Sequence, residues 1–94
     1  MDKMNTYNGW TNYATWRINL EMLDGMDCNE FVSSIGDEAY DVGQRVKDFC
    51  EEYIDSITPD GLGKDYAMAF MSDINWQEIA QHFVDQYKEE NEAA

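Results

Sequence analysis

Apolar side chains recur at intervals of three and four residues along most of this chain, and no other feature constrains its fold as strongly. The longest such stripe lies between residues 37 and 57 and consists of Ala39, Val42, Val46, Phe49, Cys50, Tyr53 and Ile57. Residues with this spacing share one face of an α-helix, whereas one face of a β-strand shows every second residue. We therefore predict a long helix from Asp37 to Ile57, with Gly43 marking either a bend or a close helix crossing.

An earlier helix is predicted to begin at Thr11 or Asn12, because either side chain can accept hydrogen bonds from the free amides of a first helical turn. The stripe of this helix, which ends before Gly25, contains Tyr13, Trp16, Leu20 and Leu23. Ile18 and Met22 fall on the opposite side, so the helix is apolar on two faces. We therefore expect it to be the central helix of the fold.

Two shorter segments show helical patterns on either side of the long helix. Residues 28–35 are expected to form one helical turn, and its inward-facing residues are Phe31, Val32 and Ile35. After a turn around Pro59, a further helix is predicted from Leu62 to Met71. Its expected buried residues are Tyr66, Ala67, Phe70 and Met71.

The last predicted helix begins at Asn75, because Asn75 and Glu78 have the spacing of a capping box. Its stripe is uninterrupted and contains Trp76, Ile79, Ala80, Phe83, Val84 and Tyr87. No stretch of useful length alternates as strands do, and no linker divides the chain. We predict an all-α fold, a compact single-domain bundle of four to five helices over residues 1–94, with residues 1–11 as an ordered lead-in and residues 88–94 as a frayed tail.

Acidic residues outnumber basic ones by 20 to 6, which gives a formal net charge of −14. Nucleic acids and anionic membranes are therefore excluded as direct partners, since both attract Lys and Arg. The expected partner is a basic protein. Hydrophobic residues still make up 44% of the chain, which is enough for a folded core and unlike a disordered segment.

The chain contains neither an apolar run long enough to span a membrane nor a basic and apolar leader at its start. We expect a soluble, cytoplasmic protein. Cys28 and Cys50 are too few for a disulfide framework and lack CxxC spacing, so both are expected to be reduced thiols.

Residues suited to catalysis or metal binding are few. His82, the single histidine, lies about 120° from the centre of the last apolar stripe and is expected to face solvent. Cys50 lies within a core stripe, where a thiol is unreactive. The cysteines and the histidine lack the paired spacing of a zinc site. The acids Asp24, Asp27 and Glu30 lack the ligand pattern of an EF-hand loop. We predict no enzyme activity, no catalytic residue, no metal and no cofactor.

Most acids of the long helix fall on the side opposite its apolar stripe. A strip about 60° wide contains Asp37, Asp41, Asp48, Glu52 and Asp55, with Glu51 at its border. From Asp37 to Asp55 this strip is about 27 Å long, comparable to about eight base pairs of duplex. Like charges four residues apart repel each other, and Arg45 is expected to offset part of this by pairing with Asp41. The strip is either an ordinary solvated face or a surface that steers the protein toward a basic partner.

The segment from Tyr7 to Trp16, YNGWTNYATW, resembles the N-G-W-[TS]-N-x-x-T-W hallmark of a family of small proteins encoded by phages and other mobile elements. Residues 73–80, DINWQEIA, are similar to a D-I-x-W-x-E-I-A segment that often occurs later in that family. The resemblance implies a viral origin and an all-α domain and supplies no catalytic residues.

In physical terms the hallmark indicates local architecture. Asn8 and Gly9 suit a turn. Trp10 is expected to pack back onto the first helical turn as a hydrophobic staple, and Trp16 is expected to enter the core. The alternative for Trp10 is an exposed anchor at a protein interface.

A very small and very acidic protein of this origin also resembles inhibitors of host defence that imitate DNA, including anti-CRISPR and anti-restriction proteins. This resemblance implies carboxylates in place of phosphates within a channel lined by Lys and Arg. We expect a phage-encoded inhibitor, most specifically an anti-CRISPR, that acts in the host cytoplasm on a basic nucleic-acid-binding protein such as a CRISPR effector subunit. The expected partner-binding residues are Asp37, Asp41, Asp48, Glu51, Glu52, Asp55 and Trp10. The alternative is a small phage structural or regulatory module, with a merely solubilising acidic surface and a contact made by Trp10, Tyr7 and Tyr13.

Overall fold

A computed structural model describes residues 7–92, and this part of the chain contains four α-helices and no β-strand. Helix α1 spans Tyr13–Ile18 and continues as a π-helical segment over Asn19–Leu23, and a short 3-10 turn follows at Cys28–Glu30. Helices α2, α3 and α4 span Ala39–Ile57, Leu62–Met71 and Trp76–Glu92. The predicted all-α fold is confirmed, and α3 has the predicted ends.

The core lies mainly between α2 and α4, which come into close contact at Gly43. A Cβ atom on Gly43 would lie 3.2 Å from the carbonyl oxygen of Trp76, tighter than an ordinary van der Waals contact. The prediction of a close helix crossing at Gly43 is therefore confirmed. The buried side chains that the two helices supply are Val42, Val46, Cys50, Ile79, Ala80, Phe83 and Val84.

The buried side of α1 differs from the predicted stripe. Tyr13 and Leu20 are 42% and 49% exposed, and Trp16 is half-buried. The structure buries a different set on this helix, namely Ala14, Thr15 and Ile18. The prediction of a central helix with that stripe inside is wrong, because the most extensive helix contact in the fold is that between α2 and α4.

The π-helical segment explains how Leu23 still reaches the core. The Asp24 N–H donates to the carbonyl of Asn19, five residues earlier, at 2.7 Å. This wider turn places residues five apart on the same side of the chain. Leu23, 1% exposed, therefore lies on the buried side together with Ile18.

Several large apolar residues that the sequence assigned to the core are exposed. Their exposed fractions range from 40% to 68%, and they are Ile35, Phe49, Tyr53, Ile57 and Tyr66. The prediction that these side chains lie in the core is wrong. Periodicity identifies the apolar side of a helix but not how far a neighbouring element covers that side.

The described part of the chain begins with a turn and ends in a helix. Asn8 and Gly9 have φ angles of 50° and 88°, and Tyr7 and Trp10 exchange two backbone hydrogen bonds, which confirms the predicted turn. Helix α4 continues through Glu92, so the predicted fraying from residue 88 is not found up to that point. The rest of the predicted lead-in, residues 1–6, and of the tail, residues 93–94, lies outside the described residues.

None of the helices described here is long and apolar enough to cross a membrane.

Hydrogen bonds join the start of α1 to the segment that precedes α4. Asn12 caps α1, as predicted, by accepting from the Thr15 N–H, and its side-chain amide donates to the carbonyl of Asp73 at 2.9 Å. The buried Thr15 hydroxyl donates to Asn12 at 2.7 Å and accepts the Asn75 N–H at 2.9 Å. The two motif segments of the sequence are therefore in direct contact, and their polar residues hold the fold together.

Asn75 caps α4 by accepting the Glu78 N–H at 3.1 Å, as predicted. The predicted capping box is nevertheless wrong, because the Glu78 carboxylate turns away from Asn75. It accepts the backbone N–H of Thr11 at 2.9 and 3.2 Å. Glu78 thus adds a further link between the N-terminal segment and α4.

Replacing Thr15 with valine tests this link. Thr15→Val keeps the side-chain shape but removes the acceptor of the partly buried Asn75 N–H. We expect it to lower the free energy of unfolding by about 1–3 kcal/mol, the cost of leaving such a group unpaired. Urea unfolding followed by circular dichroism measures the change. Thr11→Val removes only an exposed acceptor, the hydroxyl that binds the Asn75 side-chain amide at 3.2 Å, and should cost less than about 0.5 kcal/mol. Equal losses in the two variants would contradict the linking role of Thr15.

Candidate protein-binding face

The outer side of α2 carries four exposed carboxylates, which we call the acidic face: Asp41, Asp48, Glu52 and Asp55. They lie opposite the side that packs against α4. At about 1.5 Å per residue they span about 21 Å of helix axis. Glu51 is half-buried at the edge of this face. The structure therefore brings together five of the six acids that the sequence predicted there.

Asp37 does not belong to the acidic face, and its predicted position on the long helix is wrong. It precedes α2, and its side chain is only 16% exposed. The carboxylate accepts the N–H groups of Ser33 and Ser34 at 2.8 and 3.3 Å and binds Arg45 at 2.9 Å. The Ser33 N–H, followed by Arg45, holds the pKa of Asp37 far below its usual range. Asp37 therefore links the loop that precedes α2 to Arg45 of that helix.

Arg45 pairs with Asp37 rather than with the predicted Asp41. Its guanidinium also donates to the carbonyl of Phe31 at 2.8 Å. The guanidinium is thereby drawn toward the loop that precedes α2. The expected pairing of Arg45 with Asp41, which would offset part of the repulsion along the acidic strip, is therefore wrong. The loop before α2 offers Arg45 two acceptors at once, the Asp37 carboxylate and the Phe31 carbonyl.

One acid of the acidic face has a cationic neighbour from another element. Lys64, near the start of α3, lies 2.9 Å from Asp55 and 3.1 Å from Asp60. The Asp55 hydrogen bond and then the Asp60 one raise the pKa of Lys64. Asp55 remains 68% exposed, so it still presents its carboxylate to solvent.

The two tryptophans of the N-terminal segment occupy different positions from those predicted. Trp10 is half-buried and stacks on the exposed His82 of α4, with ring centroids 4.6 Å apart, rather than on the first turn of α1. Trp16 packs with Tyr7 and Tyr13 at 4.8 and 5.6 Å instead of entering the core. The predicted staple and the predicted core position are wrong, because α4 and this surface cluster offer the larger contacts.

The buried thiols have the character expected of core residues. Cys28 and Cys50 are both free and fully buried. Burial raises the pKa of Cys50 to about 12, and burial followed by the charge of Glu90 raises that of Cys28. Both side chains are therefore protonated, poorly nucleophilic thiols at neutral pH.

One group with metal-ligand spacing occurs among the described residues. Ligand atoms of Asp27, Cys28 and Glu90 lie within 4.8 Å of one another, and the Cys28 thiol donates to Glu90 at 3.7 Å. Asp27 also accepts the Asn29 N–H, which lowers its pKa. Of the three acids compared above with an EF-hand loop, only Asp27 belongs to this group. Glu90 was missed because its segment was predicted to fray.

A shallow apolar groove beside the acidic face was also missed. It lies between the π-helical segment and α2, and its lining residues are Glu21, Met22, Phe49 and Tyr53. Both aromatic residues belong to the α2 stripe, so sequence periodicity assigned them to the core. No sequence signal distinguishes a covered part of such a stripe from an uncovered one.

Comparison with known proteins gives a family without a known function. No curated protein and no solved structure matches the chain. A family model does match, over residues 3–92, which is nearly the whole sequence. The chain therefore belongs to the family of unknown function DUF7249.

Proposed function

We propose that this protein is a binding module whose acidic face occupies a basic, nucleic-acid-binding surface of another protein. The observation that carries the proposal is the placement of Asp41, Asp48, Glu52 and Asp55 on the exposed side of a helix whose other side is locked in the core. Carboxylates on such a helix are held in a fixed row. A fixed row of anions can take the place of phosphates with little loss of conformational entropy on binding.

Electrostatics supports this proposal. Asp48 and Glu52 lie four residues apart on α2, where like charges destabilise a helix by a few tenths of a kcal/mol. With a net charge of −14, the protein also repels nucleic acid and other acidic proteins. A field of this kind raises the rate of encounter with basic surfaces and suppresses binding to acidic ones.

The more specific form of the proposal is that of an inhibitor of a bacterial defence complex. The resemblance of the N-terminal segment to phage proteins and the small, acidic character of the chain support it. In this form the protein is a DNA mimic and anti-CRISPR, acts in the host cytoplasm, and has a CRISPR effector subunit as its partner. It contributes no chemistry and acts by competition.

A second candidate function is a protein-interaction module that binds through its aromatic N-terminal segment. Tyr7 and Tyr13 are 40% and 42% exposed, and their rings meet edge to face at 5.2 Å. Exposed tyrosines in a rigid cluster are typical anchors of protein interfaces. In this case the acidic face only keeps the protein soluble.

Salt and DNA competition separate the two candidates. The protein, immobilised through its C-terminus, is incubated with bacterial lysate, and the captured proteins are identified. Under the proposed function they are basic nucleic-acid-binding proteins, whose capture falls steeply between about 50 mM and about 500 mM salt. Added duplex DNA releases them as well. Capture that resists both salt and DNA but is lost in a Tyr7→Ala/Tyr13→Ala variant would favour the second candidate.

A further inference from the structure

We infer that the groove between the π-helical segment and α2 is a docking site for a basic amphipathic helix of the partner protein. The inference rests on the proposed function for the basic character of the partner. It adds an apolar surface, lined by its own residues and bordered in part by the acidic face. The groove holds about 240 Å³, and its lining residues are Glu21, Met22, Phe49 and Tyr53.

The exposed apolar strip of α2 lines the groove with Phe49 and Tyr53 and continues one turn beyond it to Ile57, which makes it long enough for a helix. Phe49, Tyr53 and Ile57 follow each other at intervals of four residues along α2 and are 40%, 48% and 57% exposed. They extend over about 12 Å of helix axis, close to the length over which a bound helix places its anchors at positions i, i+3 or i+4, and i+7. Phe49 also packs edge to face on the core residue Phe31 at 5.4 Å, which connects the groove to the core.

The borders of the site are acidic. Glu52 of the acidic face follows Phe49 by three residues on α2, so the two side chains are neighbours on the helix surface. On the other side, Glu21 lines the groove and forms an exposed ion pair with Arg17 at 2.8 Å. An apolar strip between acidic borders is complementary to a helix that presents a row of apolar residues flanked by Lys or Arg.

Charge also decides against a second copy of this chain as the occupant. Each copy carries a net charge of −14, and a copy placed in the groove would bring its own acids against Glu21 and Glu52. Juxtaposed like charges at an interface oppose association. The occupant that fits both the apolar strip and its borders is therefore basic.

A designed peptide tests the site directly. The probe is a fluorescein-labelled helical peptide of about 18 residues, with leucines at positions i, i+3, i+4 and i+7 and lysines elsewhere. Its affinity is measured by fluorescence anisotropy. Tyr53→Ala and Phe49→Ala are expected to weaken binding by about tenfold or more. The control Tyr40→Ala removes a 60% exposed tyrosine from another side of α2 and should change affinity less than about twofold.

The remaining measurements decide between the possible outcomes. A peptide of the same composition in scrambled order should bind at least about tenfold more weakly, since it lacks the apolar row. Equal binding of both peptides, or unchanged affinity in a folded Tyr53→Ala variant, would overturn the inference. Dimers of the parent that dissociate in Tyr53→Ala, seen by sedimentation, would overturn it in favour of a second copy. If the peptide experiments give an overturning result while salt and DNA still reverse lysate capture, the proposed function stands without the groove. If the peptide results hold while lysate capture resists salt and DNA, the groove stands and the proposed function fails.

Discussion

Replacing Phe83 with alanine lowers the free energy of unfolding by about 3–5 kcal/mol, the range for truncating a large aromatic side chain in a core. Phe83 is 6% exposed in the middle of α4, and its ring lies 5.2 Å from that of Phe31. The substitution leaves a cavity where α4 meets the segment that precedes α2. For a domain of this size the loss is a large part of the total stability. Urea unfolding monitored by circular dichroism provides the measurement.

Tyr66→Ala is the matched control for Phe83→Ala. It also truncates a large aromatic side chain in the middle of a helix, but Tyr66 is 68% exposed. Its expected effect is within about 0.5 kcal/mol. An unchanged unfolding midpoint for Phe83→Ala would show that α4 is not packed as described.

Reversing three charges on the acidic face is expected to weaken binding to the proposed basic partner by about a hundredfold or more. In the variant Asp48→Lys/Glu52→Lys/Asp55→Lys, carboxylates that attract Lys and Arg become cations that repel them. Juxtaposed like charges at an interface cost several kcal/mol, which corresponds to a loss of affinity of about a hundredfold or more. The fold is expected to persist, because these side chains are exposed and the Asp55 pair with Lys64 is a surface ion pair of small energy. Affinity for the protein captured from lysate is the measurement.

The control for this variant reverses three exposed acids elsewhere, in Glu30→Lys/Asp85→Lys/Glu89→Lys, and changes the net charge by the same amount. Glu78 is unsuitable for this purpose because it binds the Thr11 N–H. The control should retain most of the affinity. Equal losses in both variants would mean that net charge alone governs binding. A folded acidic-face variant that binds as well as the parent would refute the role of this face.

The sequence alone was sufficient to predict which segments are helical and which residue types cap them. Residue spacing identified the helix that ends at Ile57 and the one from Leu62 to Met71. Residue type identified Asn75 as a cap and Asn12 as one of two candidate caps. These features depend on contacts within about one helical turn, which the sequence states directly. The same periodicity predicts that Asp48 and Glu52 lie on the side of α2 opposite Val46 and Cys50. Most of the candidate face was therefore predictable.

Tertiary contacts decided whether each side chain is buried, exposed or paired. Asp37 has the spacing of an acidic-face residue, but the Ser33 and Ser34 amides and Arg45 hold it in a loop. Tyr53 has the spacing of a core residue, but no neighbouring helix covers it fully, and it lines a groove instead. A periodic pattern describes one helix at a time, whereas burial and pairing depend on which groups other segments bring within contact distance. That arrangement is set by the packing of the whole chain.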